Sequence, residues 1–303
     1  MKATDDIVYK GMTQGEIETQ YMLRNTRPDY ETTDIPRWME MSERFRSQSI
    51  NTLNLNYGHL PRNTLDFFTP KDNSLGFILY IHGGYWQRGD KSVYSFIAEP
   101  FVKRGYSVAV MNYQMCPDVK LTEIAPQVRK AIKWLWNNSS ELNISRDNFN
   151  VLGHSAGGHL TSEMLFTDWS QLDQALPKNL LHAAVAVSGI YDFEPILYCS
   201  ENDGLGMDLQ EAKAASTIHR KPSIDIPHIL SFGLNEPLEM HRQSLDYAKA
   251  FADDFSSLEV IEVNNADHFE TVDAITDENG ELFNKTLRPV SYTHLTLPTI
   301  LRV

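Results

Sequence analysis

The chain has 303 residues, 42% of them hydrophobic, which is enough apolar material for one large core or at most two domains. Its 27 lysines and arginines against 40 aspartates and glutamates give a formal net charge of -13. A surface this acidic repels the phosphates of nucleic acids and of anionic membranes, so the composition argues against both as partners. It favours a small-molecule substrate and leaves open whether the chain forms a homodimer.

The N-terminal sequence and the cysteines predict a cytoplasmic location. The first 16 residues contain no apolar core of the kind that a secretory signal has. No segment approaches the roughly 18–20 apolar residues needed to cross a bilayer. The two cysteines, Cys116 and Cys199, form no CxxC pair and no set with metal-ligand spacing, as expected of free thiols in a reducing compartment.

The composition changes along the chain and predicts three segments. Residues 1–48 are polar with scattered aromatic anchors, and they are expected to form short helices and loops that pack on a domain. Residues 49–289 carry the patterns of that domain. Residues 290–303, VSYTHLTLPTILRV, match nothing that precedes them and resemble a translated cloning adaptor, so they are predicted to be a non-native tail. The alternative is an irregular C-terminal arm.

Strand and helix patterns follow one another through the middle segment. Alternation of apolar and polar residues predicts two half-buried strands, TLNLNY (52–57) and TLDFFT (64–69), and GFILYI (76–81) is apolar throughout, as a fully buried strand is. Further strands are predicted at 106–113, 149–153, 183–189, 227–233 and 258–263. Helices are predicted at 122–136, at 156–166 and along the face Leu245, Ala248, Ala252 and Phe255. This order predicts an α/β fold with a mostly parallel central sheet of about eight strands and helices on both faces.

The sequence GHSAG contains a serine between two glycines, after a predicted strand and before a predicted helix. In that context G-x-S-x-G is typical of a nucleophile on a sharp strand-to-helix turn. A side chain at Gly153 or Gly157 would collide with the neighbouring backbone of such a turn. Ser155 is therefore predicted to be the nucleophile, and the alternative is a small residue that begins a helix.

A serine hydroxyl needs a base, and in this architecture the base follows the last strand. His268 lies in the loop after LEVIEV (258–263) and is the predicted base. His82, His154 and His159 flank the predicted nucleophile or its neighbouring loop, and they are predicted to brace those turns.

The acid that orients such a histidine should follow the penultimate strand. Glu236 comes three residues after Gly233, at the end of that strand, and is the predicted acid. Glu239 and Asp225 are alternatives. Asp267 is a poor one, because a sequence neighbour rarely reaches the ring of its own histidine in the right direction.

An acyl-transfer site also needs N–H donors for the oxyanion. Ala156, directly after the serine, should supply one, and Gly83 and Gly84 in the motif HGGYW, directly after the buried strand, should supply the others. Tyr85 and Trp86 come next and are predicted to contact the substrate, and the alternative for Trp86 is packing in the core beneath the loop. The sequence has no HExxH, no GxGxxG after the first strand and no GxxxxGK[ST], so no metal and no other cofactor is predicted.

Four stretches, HGGYW, GHSAGGHL, RGYSVAVMNYQMCP and ADHF, together resemble the kynurenine formamidase (arylformamidase) group of α/β-hydrolases. The resemblance runs from about residue 21 to residue 287. It implies the α/β-hydrolase fold, with Ser155 as nucleophile, His268 as base and Glu236 as acid. The chain departs from the group in one respect, because the acid there is usually an aspartate. The implied reaction is hydrolysis of N-formyl-L-kynurenine to kynurenine and formate, in tryptophan degradation.

Two other functions are compatible with these motifs. A carboxylesterase that acts on small acyl or aryl esters would use the same three residues, because the same chemistry cleaves esters. A non-catalytic binding protein on this scaffold is the second alternative. Such proteins typically lack the serine or the histidine, and this chain has both.

Overall fold

A twisted eight-stranded sheet forms the centre of the protein in a computed structural model that describes residues 6–287. The tail predicted at residues 290–303 lies outside the described residues. The strands are β1 (Ile7–Tyr9), β2 (Met12–Thr13), β3 (Ile50–Asn56), β4 (Thr64–Thr69), β5 (Gly76–Ile81), β6 (Tyr106–Met111), β7 (Phe149–His154), β8 (Ala183–Val187), β9 (His228–Gly233) and β10 (Leu258–Val263).

Helices precede, separate and follow these strands. They are α1 (Gln14–Tyr21), α2 (Asp34–Gln48), α3 (Ala98–Lys103), α4 (Ile124–Asn137), α5 (Ala156–Leu165), α6 (Trp169–Leu172), α7 (Asn202–Leu205), α8 (Leu209–Ala215), α9 (Leu238–Ala250), α10 (Glu270–Ala274) and α11 (Glu281–Thr286). No helix within residues 6–287 combines the length and the apolar character needed to cross a membrane.

The order of the strands confirms the predicted fold class. Across the sheet the order is β10-β9-β8-β7-β5-β6-β4-β3. The six strands from β10 to β6 are parallel, and β4 pairs antiparallel with both β6 and β3. Because parallel strands end at one edge of a sheet, the loops after β5, β7, β8, β9 and β10 meet there. β1 and β2 form a separate antiparallel pair.

Each central strand supplies side chains to two cores, one on either face of the sheet. In β5, Phe77, Leu79 and Ile81 lie in the first core, and Ile78 and Tyr80 lie in the second. Successive side chains of a strand point to opposite faces, so a strand covered on both sides is apolar at every position. This is the physical basis of the unbroken GFILYI pattern.

The N-terminal segment contributes to both cores. Ile17 and Tyr21 of α1 are fully buried in the first core, while Trp38 and Phe45 of α2 lie in the second. The segment therefore packs against both faces of the domain, and its polar composition reflects only the outward faces of these helices.

The structure corrects the helix predicted from the face Leu245, Ala248, Ala252 and Phe255. α9 ends at Ala250, so two of these residues follow it, and Leu245 is exposed. The buried face instead contains Tyr247 together with polar side chains such as Gln243. Gln243 can be buried because its side-chain amide is hydrogen-bonded. The spacing of apolar residues in the sequence does not reveal a buried polar side chain.

Three buried imidazoles lead us to expect that the protein loses stability in acid. Burial lowers the pKa of His82 and of His228 from 6.5 to about 4, and that of His154 well below 6.5. Between the folded-state pKa of about 4 and the ordinary pKa of 6.5, the imidazoles of the unfolded chain bind more protons than those of the folded chain. The free energy of unfolding therefore falls as the pH is lowered through this range. Thermal unfolding should show a Tm that decreases steadily between about pH 6.5 and pH 4.

The matched control for this expectation is His228→Gln, because a carboxamide can still donate to the Ala184 carbonyl that the imidazole contacts. The variant has one proton site fewer, so its Tm should depend less steeply on pH. A Tm that is flat for the wild type, or equally steep for the variant, contradicts the assignment.

Candidate active site

Ser155 lies on a strained turn between β7 and α5. Its backbone has φ 57° and ψ -118°, a conformation that L-residues rarely adopt. Its amide donates to the Val187 carbonyl at 2.8 Å, which ties the turn to the neighbouring strand. A Cβ at Gly157 would lie 1.9 Å from the Ile81 carbonyl oxygen, so only glycine lets α5 begin this close to β5.

The structure brings Ser155, His268 and Glu236 into one hydrogen-bonded row. The Ser155 hydroxyl lies 3.0 Å from Nε2 of His268, and Nδ1 of His268 lies 2.9 Å from Oε2 of Glu236. All three side chains are buried. With the Nδ1 proton directed to the carboxylate, Nε2 is free to accept the serine proton, which is the geometry of a nucleophile with its base and orienting acid.

The second carboxylate oxygen of Glu236 is also held. Oε1 accepts the Ser188 hydroxyl at 2.5 Å and the Gly233 amide at 2.8 Å. Ser188 follows β8 directly, and its positive φ of 51° places it at the same edge of the sheet. These two donors fix the glutamate side chain beside the histidine. Ser188 is not among the residues predicted from the sequence, although its position directly after the neighbouring strand is a usable signal.

None of the other carboxylates considered from the sequence contacts the imidazole of the predicted base. Glu239 accepts from Tyr21, Asp225 accepts a backbone amide, and Asp267 pairs with Arg27 at 3.1 Å. Each of them therefore has a structural partner of its own, away from the row of three.

His154 holds the loop that carries the base. Its Nε2 lies 2.9 Å from the His268 carbonyl oxygen and 3.0 Å from the Thr271 hydroxyl, and that hydroxyl also donates to the same carbonyl at 2.7 Å. Burial lowers the pKa of His154 well below its ordinary value, so the ring is neutral. Because the carbonyl can only accept, the proton sits on Nε2. The ring therefore fixes the backbone at His268.

The predicted oxyanion donors surround Ser155. Gly83 and Gly84 line the same cavity as the serine, and the amides of Gly83, Gly84 and Ala156 have no hydrogen-bond acceptor within residues 6–287. Gly84 has φ 116°, and a Cβ there would lie 2.1 Å from the Arg88 carbonyl oxygen. A loop that needs this glycine and carries unpaired amides beside a nucleophile is suited to stabilising a developing negative charge.

A cavity opens above the serine, and its walls are largely aromatic. Tyr30 and Trp38 come from the N-terminal segment, Tyr94 from the loop before α3, and Phe269 from the loop after β10. The Tyr30 and Phe269 rings lie 4.2 Å apart. None of these four rings is predicted from the sequence to contact the substrate. In the part of the chain that the structure describes, no three His, Cys, Asp and Glu side chains cluster as a metal site requires.

Tyr85 and Trp86, the two predicted substrate contacts, point in different directions. Tyr85 lines the cavity, and its hydroxyl donates to the Tyr21 carbonyl at 2.8 Å. Trp86 does not line it: the indole is 1% exposed and packs 5.0 Å from the ring of Phe193 and 5.4 Å from that of His159. Both residues have positive φ, and that turn directs the indole into the core below the loop. The prediction for Trp86 is thereby corrected.

Comparison with known proteins agrees with this architecture. The BD-FAE family model matches residues 65–224. The chain is 30% identical over 294 residues to the kynurenine formamidase of Danio rerio, covering 93% of this chain and 98% of that one. A solved structure from Silicibacter sp. tm1040 has a TM-score of 0.76 at 28% identity, over 89% of this chain and 98% of that one. Esterase B from Lactobacillus rhamnosis, at 19% identity, shares the fold, with a TM-score of 0.68 over 90% of this chain and 93% of that one.

A mostly parallel sheet whose central strand leads into a strained serine turn, with a histidine and a carboxylate from later loops beside it, defines an α/β-hydrolase. By the family model the chain belongs to the BD-FAE family, and by its similarity over the full length it belongs to the kynurenine formamidase family. The resemblance that the sequence motifs indicated is confirmed, and the chain is a hydrolase.

Proposed function

We propose that the protein hydrolyses the formamide of N-formyl-L-kynurenine to kynurenine and formate, with Ser155, His268 and Glu236 as the catalytic residues. The observation that carries the proposal is the hydrogen-bonded row of these side chains at the floor of an aromatic-walled cavity. The walls suit an aryl amine, since rings that stack or meet edge to face add roughly 0.5–1.5 kcal/mol beyond the burial of their area.

The first half of the reaction forms an ester on the serine. Ser155 Oγ attacks the formyl carbon while Nε2 of His268 takes the hydroxyl proton, and the carbonyl oxygen becomes an oxyanion held by the amides of Gly83, Gly84 and Ala156. The C–N bond then breaks. His268 returns its proton to the departing nitrogen, so kynurenine leaves as a neutral aryl amine and the formyl group remains on the serine.

The second half removes the formyl group. A water molecule enters where the amine was and gives a proton to His268 as its oxygen bonds to the formyl carbon. The same amides hold the second oxyanion. When the ester bond breaks, the serine oxygen recovers the proton from His268 and formic acid leaves, which gives its remaining proton to water and becomes formate, so the enzyme returns to its starting state. Glu236 keeps the imidazole oriented and stabilises its charged form in both halves.

The proposal includes a cytoplasmic location, supported by the thiols. Cys116 and Cys199 are buried and unpaired among the described residues. Burial raises the pKa of the first to about 11 and of the second to about 12, so both stay protonated at neutral pH. Fractionation of cells that make the protein naturally tests this part of the proposal.

The decisive assay measures kcat/KM of the purified protein for N-formylkynurenine and for p-nitrophenyl acetate. We expect a clear preference for the formamide once each rate is divided by the rate of spontaneous hydrolysis of that compound. A preference for the ester supports a carboxylesterase instead. The same active-site row serves either reaction, so only this ratio distinguishes the two functions.

We expect kcat/KM to fall about 10- to 100-fold as the acyl group of a p-nitrophenyl ester grows from formyl to butyryl, because extra methylenes in a tightly packed site cost about 1–3 kcal/mol. Ser155 is only 9% exposed, and a Cβ at Gly83 would lie 3.0 Å from the serine Cβ, so little room surrounds the attacked carbon. Steady-state rates for formyl, acetyl and butyryl esters, each corrected for spontaneous hydrolysis, measure the effect. Equal values across the series contradict a site made for formyl groups.

A further inference from the structure

The charged residues that line the active-site cavity differ in sign from the net charge of the protein. The chain carries a formal net charge of -13. The charged side chains among the described residues that line the cavity are nevertheless two arginines, Arg24 and Arg88, whose partners Glu31 and Glu201 are not part of its lining. An arginine in the wall of a cavity can bind a negatively charged group of a substrate if its present partner releases it.

Arg24 lies at the junction between this cavity and a second one. It belongs to the short 3-10 helix Leu23–Thr26 in the N-terminal segment. The second cavity is lined by Arg24 and Tyr30, which it shares with the first, and by the polar neighbours Asn25, Arg27 and Glu31. A molecule whose aryl group lies between the aromatic walls can therefore extend past Arg24 into polar surroundings.

The two arginines differ in how firmly their present partners hold them. Arg88 makes two parallel hydrogen bonds of 3.1 Å to Glu201, whose side chain is 4% exposed, so moving it would leave a buried carboxylate unpaired. Arg24 pairs with Glu31, which is 61% exposed. Water can solvate Glu31 when that pair opens, and exposed pairs of this kind contribute little. Arg24 is the guanidinium that a ligand can take over.

The charge of Arg24 also acts on the aromatic wall. Burial raises the pKa of Tyr30, and the positive charges of both Arg24 and Arg88 act against that rise. The Arg24 charge is therefore felt at the ring that packs against Phe269 beside the catalytic histidine. One ligand can therefore place its aryl group against this wall and its carboxylate at Arg24.

We propose that Arg24 binds the α-carboxylate of the amino-acid side chain of the substrate, and that it selects aryl formamides that carry such a group over those that do not. The inference rests on the proposed function. A planar guanidinium can give a carboxylate two parallel hydrogen bonds, which fixes the orientation of the side chain as well as holding it. The leaving amine is then positioned for protonation by His268.

The test compares N-formyl-L-kynurenine with 2′-formamidoacetophenone, which has the same aryl ketone and formamide but no amino-acid group. For Arg24→Met we expect KM for N-formylkynurenine to rise about 10- to 100-fold with little change in kcat, as loss of uniform binding through a charged hydrogen bond predicts. KM for the acetophenone should not change. Arg24→Lys keeps the charge without the planar fork and should restore part of the affinity.

The matched control is Arg44→Met, which removes an exposed arginine of α2 that pairs with Glu99 outside the cavity. It should leave both KM values unchanged. If the wild type cleaves neither formamide, the proposed function and this inference are both wrong. If it cleaves both formamides with equal kcat/KM, or if Arg24→Met keeps the wild-type preference, the proposed function stands and the inference is overturned.

Discussion

Ser155→Ala should lower kcat for N-formylkynurenine by about 10⁴- to 10⁶-fold, because loss of a nucleophile leaves only the contributions of binding and oxyanion stabilisation. The fold should be unaffected. The hydroxyl contacts only Nε2 of His268 in the described structure, and alanine meets the same backbone strain at φ 57° as serine does. Steady-state kinetics and thermal unfolding measure the two effects, and labelling by a fluorophosphonate probe should disappear.

Ser162→Ala is the matched control for this variant. Ser162 is a buried serine of α5 whose hydroxyl contacts those of Thr217 and Tyr247, away from the cavity. Its loss should lower Tm and leave turnover and probe labelling close to those of the wild type. If Ser155→Ala still turned over substrate at a near-normal rate, the protein would need another nucleophile and the proposed mechanism would be wrong.

Glu236→Ala should lower kcat by about 10⁴-fold, because the imidazole of His268 loses the partner that fixes its tautomer and stabilises its charged form. The variant should also unfold at a lower temperature. It leaves the Ser188 hydroxyl and the Gly233 amide without their buried acceptor, which costs about 1–3 kcal/mol for each group. Rates must therefore be measured well below the Tm of the variant.

Two comparisons separate loss of the acid from loss of stability. Glu239→Ala removes a carboxylate that binds Arg242 and Tyr21, so it should lower Tm while keeping most of the activity. Glu236→Asp keeps the charge but is one methylene too short to reach the histidine and its two donors together, so its kcat should lie between those of the wild type and Glu236→Ala. Wild-type activity in Glu236→Ala would assign the acid to another residue.

The sequence by itself determined the class of fold and the order of the catalytic candidates, because both depend on local patterns. An apolar run such as GFILYI encodes burial on two faces, and the glycines around Ser155 encode a tight turn. His268 and Glu236 could be chosen from their positions alone. Each follows a strand of a parallel sheet, and such strands end at one edge whatever the details of packing.

The tertiary structure decided which side chains line the active-site cavity. Tyr30 and Trp38 line the cavity because α1 and α2 fold back over the domain, and nothing in their local sequence states where that segment docks. Trp86 points into the core because its backbone φ is positive. This direction depends on packing against Phe193 and other residues that are distant in the chain. Ser188 could support Glu236 only once β8 lay beside β9. Short-range periodicity specifies how a segment folds, whereas the direction of a side chain in a loop is set by contacts between residues far apart in the sequence.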